Sequence, residues 1–319
     1  MSITRRNLMR SVAGAAFVTQ APHIGASDNI NSNFKGDAIR PKWLPRKFSK
    51  KPNIVIAILD DVGFGDLGCF GSEIDTSNID KLSKAGVRYN NFHVTALCAP
   101  TRASLLTGKN AHKVGVGNIA EWGRPLPGYR GYIQENVKLL PQMLKEAGYN
   151  TFAVGKWHLS MVNDQDAMGP FNHWPIGRGF DHWYGFHGSA VDHYHPELFR
   201  NQSQVYPEKN HGYHLSEDLV DQSIGYVRDH ITATPDKPFF LYLPLPAPHT
   251  PILPTSEFLG KSNTNMYGDF VMQVDDVLKQ IRMTLKHNGL TNNTLLVFAS
   301  DNGCSPRADY KELAQVKHN

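Results

Sequence analysis

The chain has 319 residues, 40% hydrophobic and 19% charged, enough to bury a core as one large domain or two smaller ones. The formal net charge is only +4, and no run of five like charges occurs, so the chain carries no nucleic-acid footprint. No apolar run reaches the roughly 18 residues of a membrane span, and three cysteines are too few for a disulfide scaffold.

In chain order, the first predicted element is an export signal. Arg5, Arg6 and Arg10 form a basic n-region, Ser11 to Val18 a mild hydrophobic region, and Ile24-Gly25-Ala26 a small-residue cleavage site. The paired arginines point to the twin-arginine type, with a Sec signal as the alternative. Residues 1–26 are therefore read as a signal peptide, 27–51 as a polar lead-in, and the protein as exported, periplasmic or extracellular. Asn53 to Leu59 is a continuous apolar run, the pattern of a strand covered on both faces. Similar runs recur at Thr151 to Val154, Phe239 to Leu245 and Thr294 to Ala299. Helical patterns lie between them at Asn78 to Ala85, Val137 to Ala147, Leu215 to Ala233 and Met266 to His287. The alternation predicts an α/β fold, a mostly parallel sheet with helices on both faces. His173 to Tyr213, rich in His, aromatics, Gly and Pro, reads as long loops.

Polar residues concentrate at the strand ends. Asp60-Asp61 follows the first strand, Lys156-Trp157-His158 the second, His249 the third and Asp301-Asn302 the fourth. Open α/β sheets bind ligands outside the carboxyl ends of their strands, so these four ends should converge. Asp60, Asp61, Asp301 and Asn302 offer only oxygen, a set suited to Ca²⁺ or Mg²⁺ rather than Zn²⁺. A lone Asp-Asp after a strand also serves as a cap or turn, and His158 and Lys156 taken singly also read as a core histidine and a surface lysine. Pro100 and Gly108 bracket a short helix whose N-terminus carries Cys98, with Arg102 one turn on. There Cys98 is a nucleophile, the precursor of one, or a buried structural thiol. Cys69 and Cys304 are read as structural. His182, His187, His193 and His195 are grouped as candidate pocket residues. Trp122, Trp174 and Trp183 are aromatic candidates for stacking or for the core.

The segment Cys98-Ala99-Pro100-Thr101-Arg102, continuing to Thr107-Gly108, resembles the C-x-P-[ST]-R-x-x-x-x-T-G signature of the type I sulfatases, formylglycine-dependent members of the alkaline phosphatase superfamily. LDDVGFGDLGCFG around Asp60, GKWHL around His158, GFDHWYGF at 179–186, PHTP around His249 and SDNG at 300–303 look like further family landmarks in order. The resemblance implies that Cys98 is oxidised to formylglycine by a formylglycine-generating enzyme. One hydroxyl of its hydrate attacks sulfur and displaces the alcohol; the other then loses a proton and sulfate is expelled. It also implies that Asp60, Asp61, Asp301, Asn302 and modified Cys98 hold the cation, and that Arg102 and Lys156 hold formylglycine oxygens. His158 takes the proton, His249 contacts sulfate and protonates the leaving oxygen, and Ser189 orients the site. The implied substrate is a sulfated small molecule or glycan. A formylglycine-dependent phosphodiester or phosphonate hydrolase is the nearest alternative, and an inactive fragment the alternative of another class. In the family a further lysine and a small C-terminal domain follow the Asp-Asn-Gly segment. Residues 304–319 contain no matching segment, so the expectation is a catalytic domain over 52–319, truncated before that small domain.

Overall fold

The computed structural model describes residues 51–207 and 212–304. The predicted signal peptide, most of the lead-in and residues 305–319 lie outside these. Strands β1 (Asn53–Leu59), β2 (Asn150–Lys156), β3 (His182–Phe186), β4 (Leu198–Arg200), β5 (Ser203–Val205), β6 (Phe239–Pro244) and β7 (Thr294–Ser300) form one sheet in the order β5-β4-β3-β2-β6-β1-β7. The run from β3 to β7 is parallel, and β4 and β5 add an antiparallel edge.

Helices cover both faces, which is why β1 reads as an unbroken apolar run. Val55, Ala57 and Leu59 face a core shared with α1 (Ser77–Ala85), α4 (Leu215–Ala233) and α5 (Met266–His287). Ile56 and Ile58, one residue out of phase, face a second core with α2 (Cys98–Thr107) and α3 (Leu140–Glu146). The predicted α4 and α5 have the observed bounds. α3 is shorter than its pattern: Pro141 stands in its first turn, where its fixed φ favours a start. No helix of the described residues is long and apolar enough to cross a membrane.

The reading of His173 to Tyr213 as loops is corrected. This stretch holds β3, β4 and β5, and buries Trp174, Phe180, Trp183, Phe186, Leu198 and Phe199. Large aromatic rings fill a core without an aliphatic run, and the His and Gly between them conceal the strand. Trp174 and Trp183 are thereby core residues, whereas Trp122 is half exposed.

Two glycines set the exit of β2. Gly155 and Gly185 are partners across β2 and β3. A Cβ on Gly185 would meet the Gly155 carbonyl oxygen at 1.9 Å, and one on Gly155 (φ +122°) would meet that of Pro244 at 2.1 Å. Pairing of β2 with β6 stops at Ala153. The chain then bends through Gly155 and delivers Lys156 to the end of the sheet, fully buried.

Candidate active site

The carboxyl ends of β1, β2, β6 and β7 converge on the first turn of α2. Asp60, Cys98 and Asp301 bring their donor atoms within 4.8 Å of one another, and so do Asp61, Cys98 and His249. Cys98 is thus common to two ligand groups drawn from three strand ends. It is the first residue of α2, after the extended Leu97, and Gly108 closes the helix in the left-handed conformation its missing side chain permits.

Two buried cations tie these ends together. Lys156 Nζ lies 2.5 Å from Asp60 Oδ2. Arg102 donates to Asp301 Oδ2 from Nε at 3.1 Å and Nη2 at 2.8 Å, and to the Lys156 carbonyl at 3.2 Å. Its Nη2 is also 3.6 Å from Asp60 Oδ1. Burial works against both positive charges, but Asp301 and Asp60 together outweigh it for Arg102, and Asp60 with Cys98 and Asp301 outweighs it for Lys156, so both stay protonated. Burial and the nearby Asp60 charge push the Asp301 carboxyl up to about 6. Three carboxylates (Asp60, Asp61, Asp301) face two cations, leaving one negative charge in excess.

The oxygens that remain form a coherent set. Asp60 Oδ1, Asp61 Oδ2 and Asn302 Oδ1 are buried and have no hydrogen-bond partner among the described residues. Asn302 gives its amide protons to Asp61 Oδ1 and the Gly303 carbonyl, which turns its own oxygen away from both. His249 Nδ1 lies 2.6 Å from the Thr250 carbonyl, an acceptor only, so Nδ1 carries the proton and Nε2 a lone pair. That Nε2 sits 3.6 Å from Asp61 Oδ2, two acceptors facing each other. An unpartnered buried oxygen costs about 1–3 kcal/mol, and a hard divalent cation satisfies all three at once. The predicted ligand residues therefore fit such an ion. Asp61 is held at φ +67°, with its carbonyl 3.0 Å from the Tyr267 hydroxyl and its N–H on Asp301 Oδ1 at 3.3 Å.

Burial also raises the Cys98 thiol to about 12, with Lys156 and Arg102 only partly opposing. The unmodified side chain is a neutral thiol, poor both as nucleophile and as ligand.

His158 is fully buried at φ +55°, its N–H bonded to the His187 carbonyl at 3.0 Å. Its Nε2 meets Glu121 Oε2 at 2.8 Å, and its Nδ1 has no partner among the described residues. Burial pushes its pKa down to about 4, and Glu121 opposes this only in part, so the ring is neutral near pH 7. Glu121 escaped the sequence reading. It lies 37 residues away in a single 3₁₀ turn (Ala120–Trp122) with no motif of its own, and only the fold connects it to His158. Ser189 enters the site differently from expectation: its backbone N–H bonds Glu121 Oε1 at 2.9 Å. The grouped histidines separate. His187 is enclosed by Trp174, Trp183 and Phe199, His193 stacks on His214, His182 stacks on Phe152 and Tyr226, and His195 is exposed.

His187 and His193 are pushed down to about 3, both chiefly by burial. Unfolded, all three histidines titrate near 6.5. Between pH 6.5 and 3 the unfolded chain therefore binds more protons, and stability falls with pH. It is complete above 6.5 and lost progressively towards the folded values. Moving from pH 7.5 to 5 should cost up to about 2 kcal/mol for each histidine. Urea unfolding midpoints at the two pH values measure this; equal midpoints would contradict burial of the neutral rings.

The sulfatase family model matches residues 52–318. The chain belongs to the sulfatase family. The N-acetylgalactosamine-6-sulfatase of Rattus norvegicus is 32% identical over 283 residues, which cover 80% of this chain and 50% of the rat protein. An uncharacterized sulfatase of Schizosaccharomyces pombe is 34% identical over 255 residues, 74% of this chain and 44% of that protein. The sulfatase chain thus spans about half the length of the curated relatives it matches. Among solved structures, Ps i-CgsB in complex with k-i-k-neocarrahexaose superimposes with a TM-score of 0.70 at 30% identity, covering 80% of this chain and 59% of that one. A protein of the alkaline phosphatase superfamily from Vibrio parahaemolyticus shares the fold at 17% identity, TM-score 0.55.

Proposed function

We propose that the protein hydrolyses sulfate monoesters, with Cys98 matured to formylglycine and a divalent cation, Ca²⁺ or Mg²⁺, held by Asp60, Asp61, Asp301, Asn302 and the modified Cys98. The observation that carries this reading is the set of three unpartnered buried oxygens beside a neutral thiol at a helix N-terminus. When present, the cation draws charge from the sulfate oxygens and the formylglycine supplies the attacking oxygen. Arg102 and Lys156 place fixed positive charge beside that oxygen. His158 Nδ1, a buried lone pair, accepts a proton. His249, whose Nε2 faces Asp61, binds sulfate; once Nε2 has taken up a proton, the ring hands that proton to the departing alcohol. Ser189 holds Glu121 in place through its N–H.

Charge supports an anionic substrate. The cluster alone has one negative charge in excess; a divalent ion turns this to one positive, the complement of a sulfate monoester. The names of relatives support a sulfated carbohydrate as the substrate, and the paired arginines near the N-terminus support export before use. A formylglycine-generating enzyme is the implied maturation partner. Peptide mass analysis of the segment around Cys98 tests the reading, with turnover assays on an aryl sulfate, sulfated sugars and a phosphodiester. Loss of sulfur with gain of an aldehyde is expected, and sulfate esters as the preferred substrates. An intact thiol in active protein would overturn the mechanism, and preference for the phosphodiester would favour the alternative hydrolase.

Cation binding has its own readout. Ca²⁺ at a hundred times its Kd should stabilise the fold by about 2.7 kcal/mol. The thermal midpoint should rise with Ca²⁺ and fall with a chelator, and Asn302→Ala should shrink the difference. A midpoint indifferent to both Ca²⁺ and Mg²⁺ would remove the cation from the proposal.

A further inference from the structure

We propose that Glu121 is the positioning residue of the His158 base: its carboxylate fixes the imidazole as the Nε2–H tautomer and keeps Nδ1 a free lone pair. The role in catalysis rests on the reading of the chain as a sulfate-ester hydrolase; the tautomer itself does not. Glu121 Oε2 lies 2.8 Å from His158 Nε2, and an ionised carboxylate only accepts, so the ring proton is on Nε2. The environment keeps Glu121 ionised: burial opposes its charge, but the hydrogen bonds from His158 and Ser189, with the His158 ring beside it, together outweigh this and hold the pKa at about 2.

The second ring nitrogen supports the same tautomer. Among the described residues, His158 Nδ1 is buried and unpartnered. An N–H there would be an unsatisfied buried donor, whereas a lone pair there is a base without a proton. The other carboxylate oxygen is also engaged. Glu121 Oε1 accepts the Ser189 N–H at 2.9 Å, and His158 N–H is bonded to the His187 carbonyl at 3.0 Å. One carboxylate thus joins the loop after β2 to the loop after β3.

Electrostatics give Glu121 a second task. The charged groups acting on His158 are Glu121, Lys156 and Arg102. When Nδ1 takes a proton, an O–H bond breaks, its electron pair stays on oxygen, and an N–H bond forms with a positive charge on the ring. Lys156 and Arg102 oppose that charge, and Glu121 is the anion that offsets them. This is the logic by which a buried carboxylate orients a catalytic histidine in hydrolytic triads.

The test has two arms on the full chain. In ¹⁵N-histidine NMR, with the His158 signal identified by its loss in His158→Ala, the wild type should show the Nε2–H tautomer. Glu121→Gln should shift the ring towards Nδ1–H or a mixture. In the matured enzyme, Glu121→Gln should lower kcat about 10²-fold, leave KM within about twofold, and move the acid limb of the kcat profile to lower pH. Formate should restore part of the activity of Glu121→Ala, and Glu121→Asp should retain more than either. A wild-type Nδ1–H tautomer would overturn the proposal, as would a Glu121→Gln enzyme with the kcat and acid limb of the wild type. A wild type that shows the Nε2–H tautomer but turns over no sulfate ester would count against the functional reading alone.

Discussion

Cys98→Ala should lower kcat by roughly 10⁴-fold or more, the scale on which loss of a covalent nucleophile acts, while leaving the fold in place. Cys98 is a small buried residue at the start of α2, and alanine keeps the helix and removes one sulfur. The neighbours that bind charge are untouched, because Arg102, Lys156 and the carboxylates are tied to one another and not through the thiol. The variant should therefore retain a wild-type unfolding midpoint and a measurable affinity for sulfate. Turnover within tenfold of wild type would show that the chemistry runs through another group.

Lys156→Met should destabilise the chain by about 3–5 kcal/mol, the penalty for removing one partner of a buried ion pair. Methionine reproduces the aliphatic stem, so the change isolates the ammonium. It leaves the fully buried Asp60 with Arg102 alone, 3.6 Å from Oδ1 and already committed to Asp301. Adding Asp60→Asn removes the stranded charge and should recover more than half of the loss. Urea unfolding of the single and double variants measures the coupling. Equal stabilities for Lys156→Met and the wild type would mean that the Asp60 charge is not buried as described.

These two residues show why much of the site was legible in the sequence. Asp60 and Lys156 each follow an apolar run, and a parallel sheet aligns the ends of such runs whatever their order in the chain. β1, β6, α4 and α5 were readable for the related reason that Val, Ile and Leu fall on covered positions, and β7 because its apolar run is continuous although only partly covered. β3 was not readable because HWYGF covers its faces with rings and meets β2 through a glycine pair, leaving no aliphatic period. Glu121 was not readable because nothing near Trp122 or Gly123 distinguishes its carboxylate from a solvated one. Its partner lies 37 residues away, beyond α3 and β2, and only folding supplies the 2.8 Å contact.

Asp61 and His158 stand at φ +67° and +55°, a region that side-chain-bearing residues enter at a cost of order 1–3 kcal/mol. Both lie just past strand ends, one beside the proposed cation site and the other as the proposed base. Glycine fits this conformation without penalty and asparagine with little. At 61, where asparagine is nearly isosteric with aspartate, a screen that rewards heat resistance alone would therefore drift towards Asn, and its most robust winners would lose a charge from the proposed cation site. Any campaign to harden this scaffold has to freeze that position first and look for its gains elsewhere.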